Sequence, residues 1–243
     1  MDSIDELLAH SQEQLREIEG IYQRSLAEKD PGQNLRARIK GFLENERSSL
    51  DYLAVRITAA YGSKNASNVY YPLAPAPTEF DRLIDKNMPG VRLSKPEIGE
   101  ALKQYQPYTR SWLGKLNRLT RENKHNDLSA QTRTSRARRE VRGSGGVVSW
   151  DPRSVRFGGS RIEFGPGGGI SFGPGGGIEF GQSGVYIMGE QVDPVTQRTP
   201  STIDVIYVDW LFSDLNVSVL GTLREFATEV PKAINEIRQI ARV

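Results

Sequence analysis

Apolar residues at Ile4, Leu8, Leu15, Ile18 and Tyr22 recur three or four apart, with one polar step at Ser11, and predict an amphipathic helix over Ile4 to Lys29. Asp30-Pro31-Gly32 ends it. A second helix is expected from about Gln33 to Tyr61 on Leu35, Ile39, Phe42, Leu43, Leu50, Leu53 and Ile57. A proline-punctuated connector from Tyr70 to Pro77 follows, then short helices near Glu79 to Lys86 and Pro96 to Tyr105. Trp112, Leu113, Leu116 and Leu119 place a further helix over about Arg110 to Asn126. Beyond Leu128 the period shortens to extended runs with glycine turns as far as about Ser213, ending in a long β-branched and aromatic strand over Ile203 to Phe212. Helical period returns on Val219, Leu223, Phe226, Val230, Ile234, Ile237 and Ala241, with a kink expected at Pro231. That stripe is too apolar to stand alone, so the last helix should pack back on the first ones.

Inside the strand region, Ile162-Glu-Phe-Gly, Ile170-Ser-Phe-Gly and Ile178-Glu-Phe-Gly recur every eight residues, flanked by Val155-Arg-Phe-Gly and Val185-Tyr-Ile. An antiparallel meander would pair Phe164 with Ile170 and Ile162 with Phe172, putting every Ile and Phe on one face. A parallel β-solenoid gives the same period, but three short units are few for a stable stack, and the meander is preferred. The expected class is therefore α+β: a helical bundle over 1–128 plus 214–243, with an inserted antiparallel β-meander subdomain over 129–213.

Composition narrows the chemistry. The 243 residues suffice for a sizeable core, and the absence of cysteine removes thiolate zinc sites, disulfides and thiol nucleophiles, which suits a cytoplasmic protein. An acidic start, Met1-Asp2-Ser3-Ile4-Asp5-Glu6, does not resemble a signal peptide, and no apolar run approaches the roughly 18 residues of a membrane span. Net charge is +2, so attraction to nucleic acid must come from local clustering. Neither a metal nor a cofactor is expected: His10 has no companion histidine, and the Gly-Pro-Gly-Gly-Gly runs lack the lysine and following helix of a phosphate loop.

Two polar residues fall on apolar faces. Glu46 lies four residues from both Phe42 and Leu50, and Asn123 is about 20° from Leu116 around its helix. A buried pair between Glu46 and Asn123 would satisfy both. On the opposite side of that helix, Arg118, Arg121 and His125 project together, about 200°, 140° and 180° from Leu116. One helix presents them as a strip, and a second surface, such as a twofold copy, is needed to close a pocket. The simplest alternative is a solvated helix end whose cations meet the negative end of the macrodipole. Arg133, Arg136, Arg138, Arg139 and Arg142 follow against the single acid Glu140, as a phosphate-tracking cluster or a charged edge strand.

Leu43 to Ala54, Tyr71-Pro72-Leu73, Gln106-Pro107-Tyr108 and Leu116 to His125 together resemble a group of bacterial helical proteins, and the HEPN superfamily of helical bundles. The likeness covers about the first 128 residues and, more loosely, the last helix. Many members are metal-independent ribonucleases of defence and toxin systems, with an arginine followed after four to six residues by a histidine in a dimer-interface cleft. Arg118 to His125 has six intervening residues and matches; Arg121 to His125 has three; the position after the motif arginine, usually polar, is Leu119. The resemblance implies a homodimer that cleaves RNA with Arg118 and His125, with Arg121, Arg133, Arg136, Arg138 and Arg139 holding substrate. The competing reading is a non-catalytic binding module for RNA, a nucleotide-like ligand or a protein partner, and a purely structural role comes third.

Overall fold

The computed structural model describes residues 2–28, 32–125, 130–143, 146–158, 161–165, 169–172, 176–181 and 184–243, without the side chains of residues 27, 28, 32, 33, 122–125, 136, 206 and 207. Helices α1 (Ser3–Glu28) and α2 (Gly32–Tyr61) lead into a 3-10 turn (Pro77–Glu79), α3 (Phe80–Asn87), α4 (Val91–Ser94), α5 (Pro96–Gln104) and α6 (Ser111–His125). Strands β1 (Gln131–Gly143), β2 (Gly146–Trp150), β3 (Val155–Gly158), β4 (Arg161–Phe164), β5 (Ile170–Phe172), β6 (Ile178–Gly181), β7 (Gly184–Ile187), β8 (Glu190–Gln191), β9 (Thr202–Phe212) and β10 (Val217–Ser218) follow, and α7 (Val219–Ala241) closes the chain. The protein is thus α+β with antiparallel sheets. Two compact units result, Met1–Arg133 with Trp210–Val243, and Thr134–Asp209.

The first unit is a helical assembly with one large core. Leu35, Ile39, Phe42, Leu43, Leu50, Leu53 and Ile57 of α2 are buried in it, as are Leu113, Leu116 and Leu119 of α6. The apolar stripe of α7 joins them, and α7 continues through Pro231 as one helix. Polar ties fix its place. Asp2 caps α1 by accepting from the amides of Ile4 and Asp5, and its carboxylate also receives Arg238 of α7 and Arg56 of α2. Burial works against the charged Asp2 carboxyl, but Arg56, the two amides and Arg238 hold it below the ordinary carboxylate range. At the end of β9, Trp210 donates its amide to the Tyr22 hydroxyl and its indole N–H to Ser25 of α1, at 2.8 and 2.9 Å.

In the second unit the octapeptide repeat forms strands, but the repeats do not pair with one another. The expected pairings of Phe164 with Ile170 and Ile162 with Phe172 are replaced by three antiparallel pairings with strands outside the repeat. β4 joins β3, β5 joins β2, and β6 joins β7, in three different sheets. One register recurs in all three: Phe164, Phe172 and Phe180 face Val155, Val148 and Val185, while Ile162, Ile170 and Ile178 face Phe157, Trp150 and Ile187. The reason is packing. Each repeat isoleucine gains a large partner, and all three reach a single core of Val141, Val148, Trp150, Val155, Phe157, Val185, Ile187 and Val192. The repeat phenylalanines, at or next to the strand ends, remain 57%, 55% and 59% exposed.

Gln197 pins the loop before β9 to β3. Its amide accepts from the Phe157 N–H at 2.6 Å and donates to the Phe157 carbonyl at 2.8 Å, standing in for a neighbouring strand. The residue sits at φ +58°, a conformation that side chains other than glycine seldom hold. Gln197→Ala is expected to cost about 2 kcal/mol in urea denaturation, because two backbone groups lose their partner. Gln197→Gly should cost less, since glycine relieves the backbone; equal losses would show that the φ angle stores no strain.

Candidate functional site

The sequence places its sharpest chemistry on α6, and the way that helix is buried decides what it can present. Trp112, Leu113, Leu116 and Leu119 turn into the first core, Thr120 donates back to the Leu116 carbonyl at 2.8 Å, and Lys115 pairs with Glu225 of α7 at 2.7 Å. Arg118 and Arg121 are consequently turned outward and exposed. Arg118 is also engaged with a neighbour inside the protein. His125 is the last residue of α6, one turn beyond Arg121; its side chain, like that of Asn123, lies outside the described residues. Leu119, beside Arg118, is fully buried and serves the core.

Glu46 is fully buried within α2, and neither carboxyl oxygen has a well-placed hydrogen-bond partner among the described residues. Burial pushes its carboxyl up to about 8, an effect only partly offset by the Ser11 hydroxyl of α1. Burial therefore favours the protonated form of Glu46. Whether it meets Asn123 lies outside the described residues.

The arginines of β1 divide between the two units. In the first, Arg133 reaches the Leu26 carbonyl at 3.4 Å, and its Nε is buried with no hydrogen-bond partner among the described residues. In the second, Arg138 spans to Ser149 and Ser171, and Arg139 holds Asp204 and the carbonyls of Thr196 and Gln197. Arg142 pairs with the buried carboxylate of Glu140 at 2.7 Å. The side chain of Arg136 lies outside the described residues. The charges of Arg138 and Arg139 are thus already used to brace strands and a loop, a role that a count of basic residues does not foresee.

Two concave surfaces are described away from α6. The second unit has a cavity of about 510 Å³ beside residues 191–200, lined by Asp193, Thr196 and Arg198 among others; Arg198 is bound to Asp204. The first has one of about 320 Å³ beside the end of α2. No group of three or more histidine, aspartate or glutamate side chains suited to a metal ion occurs among the described residues, and no helix among them is long and apolar enough to cross a membrane. Comparison of the chain with protein-family models, with curated proteins and with solved structures yields no match.

Proposed function

We propose that this protein acts on RNA through the outward face of α6, as a HEPN-like homodimeric bundle that cleaves the strand without a metal cofactor. The observation that carries the reading is the division of α6, which buries its leucines and turns Arg118 and Arg121 to solvent in the two turns before His125. Cleavage needs the 2′-hydroxyl of one nucleotide to attack the adjacent phosphorus. His125 would take that proton and return one to the departing 5′-oxygen, Arg118 would hold the negative charge that gathers on the phosphorane, and Arg121 would seat the neighbouring phosphate. The 2′-hydroxyl requirement makes DNA a built-in control.

A second reading, binding of RNA without cleavage, is favoured by the fact that a single helix offers a strip and not a cleft. Incubation with mixed RNA in excess chelator separates the two. Cleavage by the natural chain, reduced about 10²-fold or more in His125→Ala and Arg118→Ala, supports catalysis. Salt-sensitive binding without products supports the module. Cleavage that His125→Ala leaves unchanged, or the absence of both cleavage and binding, overturns the assignment of α6.

A further inference from the structure

The cavity of about 320 Å³ at the end of α2 belongs to no reading of α6, and its construction is that of a small-molecule site. Val55 and Ala59, one turn apart on α2, line it together with Ala66 and Val69 of the following loop. Thr58, Ser63 and Lys64 complete the lining, and Lys64 brings a cation to it. Size puts it at the lower end of ligand pockets, which run from about 300 to 1,000 Å³.

Three features set it apart from a passive groove. The loop is fixed in place: Ser63 donates to the Pro89 carbonyl at 2.8 Å, Ala66 to the Ser63 carbonyl at 3.1 Å, and Tyr70 to the Asn87 carbonyl at 3.4 Å. Within it Asn68 is held at φ +56°, a local cost of the kind that a fixed wall sustains. Gly62 permits the turn, because a Cβ there would lie 2.6 Å from the Thr58 side chain and 2.8 Å from the Pro89 carbonyl oxygen. Lys64 is also at the surface and makes no ion pair among the described residues, while the Thr58 hydroxyl is sealed from solvent beneath the lining.

We infer that this cavity binds a small carboxylate with an apolar body, its head received by Lys64 and the hydroxyl of Ser63, and its body laid on Val55, Ala59 and Val69. The end of α2 carries partial negative charge of its own, which opposes an anion, so the preference for a carboxylate rests on Lys64. That dependence is what the experiment reads.

Benzoate serves as the probe and benzyl alcohol as its uncharged counterpart, each titrated into the full-length protein and followed by amide shifts over residues 55–70. Benzoate is expected to move these signals with higher affinity than benzyl alcohol. Lys64→Met, which keeps the length of the side chain, should weaken benzoate about fivefold and leave benzyl alcohol unchanged; Lys64→Arg should restore it. Ala59→Trp should block both ligands, and its amide spectrum away from the cavity reports that the fold is kept. Absence of benzoate binding, or binding equally strong in Lys64→Met, overturns the proposal.

Discussion

Trp150→Ala is expected to lower the stability of the second unit by about 4 kcal/mol, the cost of removing a buried indole from a packed core. Trp150 is fully buried, meets Phe157 edge to face at 5.2 Å, and stands opposite Ile170 of the edge strand β5 and Arg139 of β1. It is the large residue around which one of the three recurring strand pairs is built. The loss is a sizeable share of the 5–15 kcal/mol that holds an ordinary domain. Urea titration followed by far-UV circular dichroism, with proteolysis to report which segment opens, measures it. Trp150→Phe should lose less, because an aromatic ring remains and the indole N–H, which has no partner among the described residues, disappears. Phe164→Ser, at a position 57% exposed, provides the contrast and should cost under about 1 kcal/mol. Comparable losses in Trp150→Ala and Phe164→Ser would mean that the core of this unit is not where the structure puts it.

Glu46→Gln is expected to stabilise the protein at neutral pH, and by an amount that grows with pH. In the unfolded chain this carboxyl ionises near 4.5, whereas burial holds the folded one protonated up to about 8. Between those values the folded state binds the extra proton, so stability falls as pH rises, by about 1.4 kcal/mol per unit. From pH 4.5 to 7 the loss is roughly 3 kcal/mol, and above about 8 it levels off. Glutamine has nothing to titrate and removes this slope. Asp2 acts with the opposite sign: its folded carboxyl is depressed, so its contribution is present above the ordinary carboxylate value and is lost as pH falls through the lowered one. The two windows meet near pH 4, and the Glu46 effect can be read above it. Denaturation of both proteins at pH 5 and pH 7.5 tests this, and parallel pH dependence in the two would show that Glu46 ionises normally in the folded chain.

The helical half of the fold is legible because each helix has one dominant period. The spacing of Leu35, Ile39, Phe42 and Leu43 marks the buried face of α2, and it also reveals Glu46 as a misplaced carboxyl. Short α4, four residues at Val91–Ser94, leaves no such signal. In the strand half, residue alternation identifies the strands but not their partners, since Ile-x-Phe fits opposite either another repeat or a Val-x-aromatic strand. Only burial of Trp150, Phe157 and Ile187 in one cluster decides it. At the candidate site, helical arithmetic shows that Arg118 and Arg121 face away from Leu116. It does not show that Arg138 and Arg139 bond to Ser149 and Asp204, because those partners lie 11 and 65 residues away in the chain. The clasp of Asp2 on Arg238, spanning nearly the whole sequence, has no local signature for the same reason.

The three repeats each complete a different sheet, and this bears on how their number can change over evolutionary time. In a solenoid, gain of one more octapeptide would simply lengthen the stack. Here the three strands that receive the repeat offer no vacancy to an additional octapeptide, because Val155, Val148 and Val185 already face Phe164, Phe172 and Phe180. The extra copy would leave the unit as a loop, and loss of one copy would strip a strand from one sheet. Copy number is therefore set by the strands outside the repeat.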